Sequence, residues 1–140
     1  MIVLDTGGLY ALLDSSDSYH HDAHRAIDGY DGPLLLSPLI LAETDYLVSK
    51  RLGRRAESAF LADVTERVYR LVGFDDEDLE SAVNLVNTYA DMNIGIADAS
   101  VAVIARRYRT VDLLSVDRHF RAIGPLWGEA FSLLPLDARK

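Results

Sequence analysis

Four acidic residues stand where the surrounding pattern gives no reason for a charge. Asp5 ends the apolar run of MIVLDTGGLY and is followed at once by a hydroxyl and two glycines, and Asp117 ends a second short run in VDLLSVD, two residues after Ser115. Glu43 shares a helical face with Leu39, Ile40, Tyr46 and Leu47 at spacings of three and four. An unpaired ionised carboxylate in such a stripe is costly, so Glu43 must be paired, protonated or bound to a cation. Asp98 starts the face that carries Val101, Ala102 and Ala105. Gathered around one cavity, the four acids would repel and raise one another's pKa unless a divalent cation neutralised them. Oxygen ligation of this kind suits Mg²⁺ or Mn²⁺ with several waters retained.

Each acid also has a plainer reading. Asp5 and Asp117 could cap the helices that follow them, and Asp98 in a first helical turn is an ordinary partner for the helix dipole. The HHDAH stretch offers a rival metal site, because His20 and His24 at i and i+4 share a helix face. It lacks the intervening Glu of the metalloprotease motif and a third ligand, which favours a solvated or packed helix start. His119 has no evident partner. An aspartyl-phosphate phosphatase would place a second Asp two residues after Asp5, where Gly7 stands, and the GxxxxGK of a phosphate-binding loop is absent.

The elements around these residues alternate. Ile2 to Leu4 and Leu34 to Leu36 are short, unalternating apolar runs that suit strands buried on both faces of a parallel sheet. Between them LYALLD reads as helix, and a second helix runs from after Ser18 to Gly29. Ser37 followed by Pro38 is an N-cap and first-turn signature for a long helix reaching Gly53, with another from Arg54. Val68 to Val72 reads as a strand, DDEDLESAVNLVNTYA as a helix with acids in its first turn, and IADASVAVIARRY as a small-residue helix. Leu113 and Leu114 repeat the opening strand pattern, and FSLLPL suits a last edge strand. Strands alternating with helices imply an α/β fold around a mostly parallel sheet. In such sheets the functional crevice lies at the carboxyl ends of the strands, where Asp5 and Asp117 both fall.

Composition narrows the chemistry further. The 140 residues are 49% hydrophobic and suit one compact domain over 1–140. With no cysteine, disulfides and thiolate metal sites are excluded. No apolar run reaches the length of a membrane span, and the N-terminus lacks the pattern of an export signal, so a cytoplasmic protein is expected. The net charge of −8 argues against gripping nucleic acid by overall basicity. Local basic patches remain in KRLGRR (Lys50, Arg51, Arg54, Arg55) and RRYR (Arg106, Arg107, Arg109), as phosphate contacts or as solvated helix ends.

Taken together, DTGGLYALLD with Asp5, LAE with Glu43, IADAS with Asp98 and SVDRHF with Ser115 and Asp117 resemble, end to end and in order, the PIN-domain ribonucleases. The resemblance is specifically to the VapC-type toxins of bacterial toxin–antitoxin modules. It implies a three-layer α/β/α sandwich, Mg²⁺-dependent endonucleolytic cleavage of RNA, a homodimer, and inhibition by a cognate VapB-type antitoxin in a heterotetramer or larger assembly. Carried over by position, Asp5, Glu43, Asp98 and Asp117 are the acidic quartet, with Thr6 and Ser115 as hydroxyl neighbours. Asp5 and Asp98 are then expected as direct metal ligands, Asp117 as a direct or water-mediated one, and Glu43 as a water-mediated ligand that orients the nucleophile. Lys50, Arg51, Arg54, Arg55, Arg106 and Arg107 are expected to hold RNA phosphates at the rim. Gly7 departs from the Ser or Asn common at that place in the wider family. A PIN nuclease of RNA processing and a catalytically silent PIN-like interaction module are the alternatives.

Overall fold

The computed structural model describes residues 1–123 and 130–138. Its elements follow in the order β1 (Ile2–Leu4), α1 (Thr6–Leu13), α2 (His20–Ile27), β2 (Leu34–Leu36), α3 (Pro38–Leu52), α4 (Arg54–Thr65), β3 (Arg70–Leu71), α5 (Asp76–Thr88), a 3₁₀ turn (Ala90–Met92), α6 (Ile96–Arg107), β4 (Asp112–Ser115), α7 (His119–Ile123) and β5 (Ser132–Pro135). The strands form one parallel sheet in the order β3-β2-β1-β4-β5. The expected strand at Val68 to Val72 shrinks to Arg70–Leu71, an edge position whose two side chains are both exposed. FSLLPL supplies the opposite edge.

Every residue of β1 is buried, which requires cover on both faces and explains a run with no polar alternation. The chain adds β2 and β3 on one side of β1 and then returns to add β4 and β5 on the other. The strand order therefore reverses between β1 and β4, and in parallel sheets the functional crevice belongs beyond the carboxyl ends of the strands at such a point. Asp5 and Asp117 leave the sheet at that point.

The helices that border the crevice are fixed by short polar devices. Ser37 caps α3, its Oγ accepting from the amide of Leu39 at 3.1 Å, with Pro38 in the first turn. Ser100 Oγ donates to the Ala97 carbonyl at 2.6 Å, so in the 2.8 Å contact between Ser37 and Ser100 it is Ser37 that donates. This buried pair ties the start of α3 to the start of α6. Ala97, Ala99, Ala102 and Ala105 let α6 bury nearly its whole circumference. Gly53 joins α3 to α4 with φ of +92°, a conformation that a side chain would strain. Gly8 matters for a different reason: a Cβ there would fall 2.2 Å from the Leu114 carbonyl oxygen. Only a hydrogen at that position lets α1 lie directly on β4.

The acidic run from Asp75 to Glu80 and the basic end of α6 serve each other. Asp75 and Asp78 form a reciprocal capping box at the start of α5, and Arg107 donates to Asp78 Oδ2 at 2.9 Å and to the Gly73 carbonyl at 2.6 Å. Among the described residues no helix is long and apolar enough to cross a membrane.

Candidate functional site

Asp5 occupies the N-cap position of α1 with extended backbone, yet its side chain makes no capping bond. Its Oδ2 instead accepts from Ser115 Oγ at 2.7 Å, across the strand boundary. The capping explanation of this residue therefore fails. The residue is 3% exposed, and its second oxygen, Oδ1, is buried with no hydrogen-bond partner. Such an orphaned carboxylate oxygen is costly unless something positive meets it. Burial is the main reason that its pKa rises from 3.8 to about 7. The Ser115 hydroxyl and the Thr6 amide oppose that rise, whereas the charges of Asp98 and Asp117 add to it.

Ser115 does two jobs at the end of β4. While donating to Asp5 it accepts from the Asp117 amide at 3.0 Å, which sets the turn that carries Asp117 inward. Asp117 Oδ1 then accepts from the His119 backbone amide at 2.9 Å, and ring Nδ1 of His119 lies 2.9 Å from the same oxygen as its ion-pair partner when protonated. His119, which had no partner by sequence, thus anchors one oxygen of Asp117.

Asp98 lies in the first turn of α6, and its Oδ2 accepts a long 3.4 Å bond from the Gly95 amide. The capping role read for it is present but weak. Burial first, then Asp117 and Glu43, raise its pKa, while the Gly95 amide and His119 lower it. One carboxylate oxygen from each of Asp5, Asp98 and Asp117 lies within 4.8 Å of the others. Three acids so close, mutually destabilised and with one oxygen orphaned, fit a hard divalent cation.

Glu43 lies outside that trio, though near enough for its charge to act on Asp98. It is exposed, and so is Tyr46 at 59%. The apolar stripe expected to bury Glu43 is therefore corrected. The line of α3 that packs inward is Ile40, Thr44 and Val48, at strict spacings of four, and it turns Glu43 to the solvent side of the crevice. Thr6 is buried beside Asp5 with its hydroxyl unpartnered.

The basic residues divide. Lys50 and Arg51 end α3, Arg51 lying 5.3 Å from the centroid of the Tyr10 ring. Arg54 and Arg55 open α4, Arg54 paired with Glu57 at 3.3 Å. Arg106 donates to Ser81 and Arg107 is held by Asp78. Both stand at the far end of α6, about 13 Å along its axis from Asp98, and the structure does not bring them to the acids. The histidine pair has a structural use that sequence reasoning missed. His20 Nδ1 lies 2.7 Å from the Ala11 carbonyl and His24 Nε2 3.0 Å from that of Leu12, satisfying the free carbonyls at the end of α1.

Residues 2–125 match the family model of the PIN domain. The chain belongs to the PIN-domain family. Within it the VapC type is indicated by Ribonuclease VapC26 of Mycobacterium tuberculosis, 38% identical over 135 residues, 96% of this chain and 100% of that protein. A crystal structure of M. tuberculosis VapC20, described as a toxin cleaving the sarcin–ricin loop, superposes with a TM-score of 0.80 at 25% identity, covering 90% of this chain and 97% of that one. VapBC2 from Rickettsia felis, bound to a DNA fragment from its promoter, gives 0.68 at 18% identity over 95% of this chain and 98% of that one. FitAcB from Neisseria gonorrhoeae gives 0.59 at 19% over 79% and 84%. The last two likenesses show the shared PIN fold. In this PIN domain the α/β/α sandwich and parallel sheet expected from sequence are both present.

Proposed function

We propose that this chain is a divalent-metal-dependent endoribonuclease and the toxin of a toxin–antitoxin pair, acting as one PIN domain in the cytoplasm. The observation that carries this reading is the convergence of Asp5, Asp98 and Asp117 from three distant segments, with an oxygen of each within 4.8 Å of the others and Asp5 Oδ1 left without a protein partner. The names of the relatives support the substrate class, since one is a ribonuclease and another cleaves an RNA loop.

Asp5, Asp98 and Asp117 would hold Mg²⁺, or Mn²⁺ in its place, with Glu43 joining through water. When bound, such an ion lowers the pKa of a coordinated water and neutralises charge gathering on the phosphorus. The protein's own residues supply the rest. Ser115 engages Asp5 Oδ2 and leaves Oδ1 without a protein partner, and the His119 amide holds Asp117 Oδ1. Glu43, exposed and near enough for its charge to act on Asp98, would orient the attacking water. Lys50, Arg51, Arg54 and Arg55, on α3 and α4, would meet phosphates, Arg54 exchanging its pairing with Glu57, whereas Arg106 and Arg107 stand at the far end of α6.

A cognate VapB-type antitoxin, in keeping with the likeness to VapBC2, and a homodimer, expected from the family resemblance, complete the reading. An antitoxin Arg entering the acidic centre would pair with the carboxylates and compete with the metal.

The test is cleavage of end-labelled RNA by the purified chain. Cleavage should require Mg²⁺ or Mn²⁺, stop with a chelator, and be lost in Asp5→Asn and Asp98→Asn while both variants stay folded. Cutting that persists in either variant would refute the assignment.

A further inference from the structure

The outward turn of α3 exposes Tyr46, which the mechanism above does not use. Glu43, Tyr46 and Lys50 stand at spacings of three and four, which places them within about 60° of one another around the helix. Glu43 is near enough to the acidic centre for its charge to act on Asp98, and the stripe leads away from it. Tyr46 is more exposed than any other large apolar side chain among the described residues, at 59%. Lys50 Nζ donates to the Tyr46 hydroxyl at 3.1 Å and lies 5.4 Å from the ring centroid, so the ammonium and the ring are held as one unit.

The surroundings of the ring decide what suits it. Its neighbours three and four residues away are Ala42, Glu43, Ser49 and Lys50, of which none is a large apolar side chain. A protein interface buries contiguous apolar area around its aromatic anchors, which this stripe lacks. A lone exposed ring with a cation at its edge matches instead the recognition of single-stranded nucleic acid, where an unpaired base stacks on the ring and the cation takes a phosphate.

We propose that Tyr46 is a stacking platform for an unpaired base of the RNA substrate, with Lys50 on the adjoining phosphate, so that α3 guides the strand toward the acidic centre. This rests on the ribonuclease reading and adds to it a preference for unpaired RNA.

The experiment uses the full chain carrying Asp5→Asn, so that bound RNA is not cut, and short fluorescein-labelled single-stranded RNA oligomers read by anisotropy. Adding Tyr46→Ala should weaken binding about 5- to 150-fold, the range measured for loss of one base stack. Tyr46→Phe and Tyr46→Trp should keep the parent's affinity, and double-stranded RNA should bind with no dependence on position 46. Lys50→Ala should reduce the slope of log affinity against log salt by about 0.7. If the parent binds RNA and Tyr46→Ala binds it equally, the platform is wrong and the ribonuclease reading stands. If the parent binds no RNA, both fall. A loss shared by Tyr46→Phe would assign the effect to the hydroxyl, and a smaller mass for Tyr46→Ala in light scattering would assign the ring to a contact between copies; either result overturns the proposal.

Discussion

Ser115 Oγ donates to Asp5 Oδ2 at 2.7 Å, joining residues 110 positions apart at the ends of neighbouring strands. The bond occupies one oxygen of Asp5 within the protein and leaves the other, Oδ1, buried without a protein partner. Ser115→Ala should leave the sheet intact but release Asp5, lowering Mn²⁺ affinity about 10- to 100-fold. Titration calorimetry on the folded variant would measure it, and unchanged affinity would remove Ser115 from the site.

His119 makes the parallel case for Asp117. His119→Ala should weaken Mn²⁺ binding by a similar factor of about 10 or more, whereas His119→Asn, whose amide can replace the Nδ1 donor, should restore most of it. A merely structural role would show as a lower melting temperature with no rescue of metal affinity. Equal affinities in wild type and His119→Ala would show that the backbone amide alone holds Asp117.

The raised pKa of Asp5 makes metal-free stability depend on pH. Unfolded, Asp5 ionises near its ordinary 3.8; folded, near 7. Between these values the folded chain keeps a proton that the unfolded chain has lost, so this contribution to stability is full below about pH 4, declines as pH rises, and levels off above about pH 7. Its size is on the order of a few kcal/mol. Asp98 shifts in the same direction. Denaturant melts with chelator at about pH 5 and about pH 8 should show the decline in wild type and a shallower one in Asp5→Asn. The same slope in both would mean that Asp5 is not the group responsible. Mg²⁺ or Mn²⁺ at 100-fold excess over Kd should return about 2.7 kcal/mol.

Much of this site was legible because an apolar strand that stops at an acid is hard to disguise. Asp5 and Asp117 announce the ends of β1 and β4 in that way. Glu43 was harder. Along α3 the sequence offers two stripes, Leu39, Ile40, Glu43, Tyr46 and Leu47 or Ile40, Thr44 and Val48, and the hydroxyl of Thr44 conceals the second as a core face. Packing against other helices chose between them, and no local pattern carries that information. The partners of His20 and His24 are backbone carbonyls of another helix, and the bond from His119 depends on the turn set by Ser115. Residue spacing could show that these side chains share a face or a turn, but not what they meet there. Val68 to Val72 has strand-like residues, yet at the edge of the sheet only Arg70 and Leu71 are in register with β2, with the Val72 amide adding one bond to the Leu36 carbonyl at 3.0 Å.

The glycines of the opening motif give a further test. Gly8→Ala sets a methyl against the Leu114 carbonyl, a backbone group that cannot turn aside. It should cost about 1–3 kcal/mol and, by lifting α1 from β4, also lower Mn²⁺ affinity. Gly7→Ala meets only the Val116 side chain, at 3.0 Å, and should cost less. Urea melts of the two variants would rank them, and equal stability would show that α1 has room to spare over β4.

The sheet order also sets when the acids can meet. β1 is made first but lies between β2 and β4, and its contact with β4 joins Val3 to Leu113. Closing so long a loop is entropically unfavourable until the intervening helices have formed. During synthesis Asp5 emerges well before Asp117, so a ribosome-bound chain that stops short of β4 has no centre to assemble. The nascent protein would be inert toward the RNA around it, including that of the ribosome making it, until β4 is released and slides in beside β1.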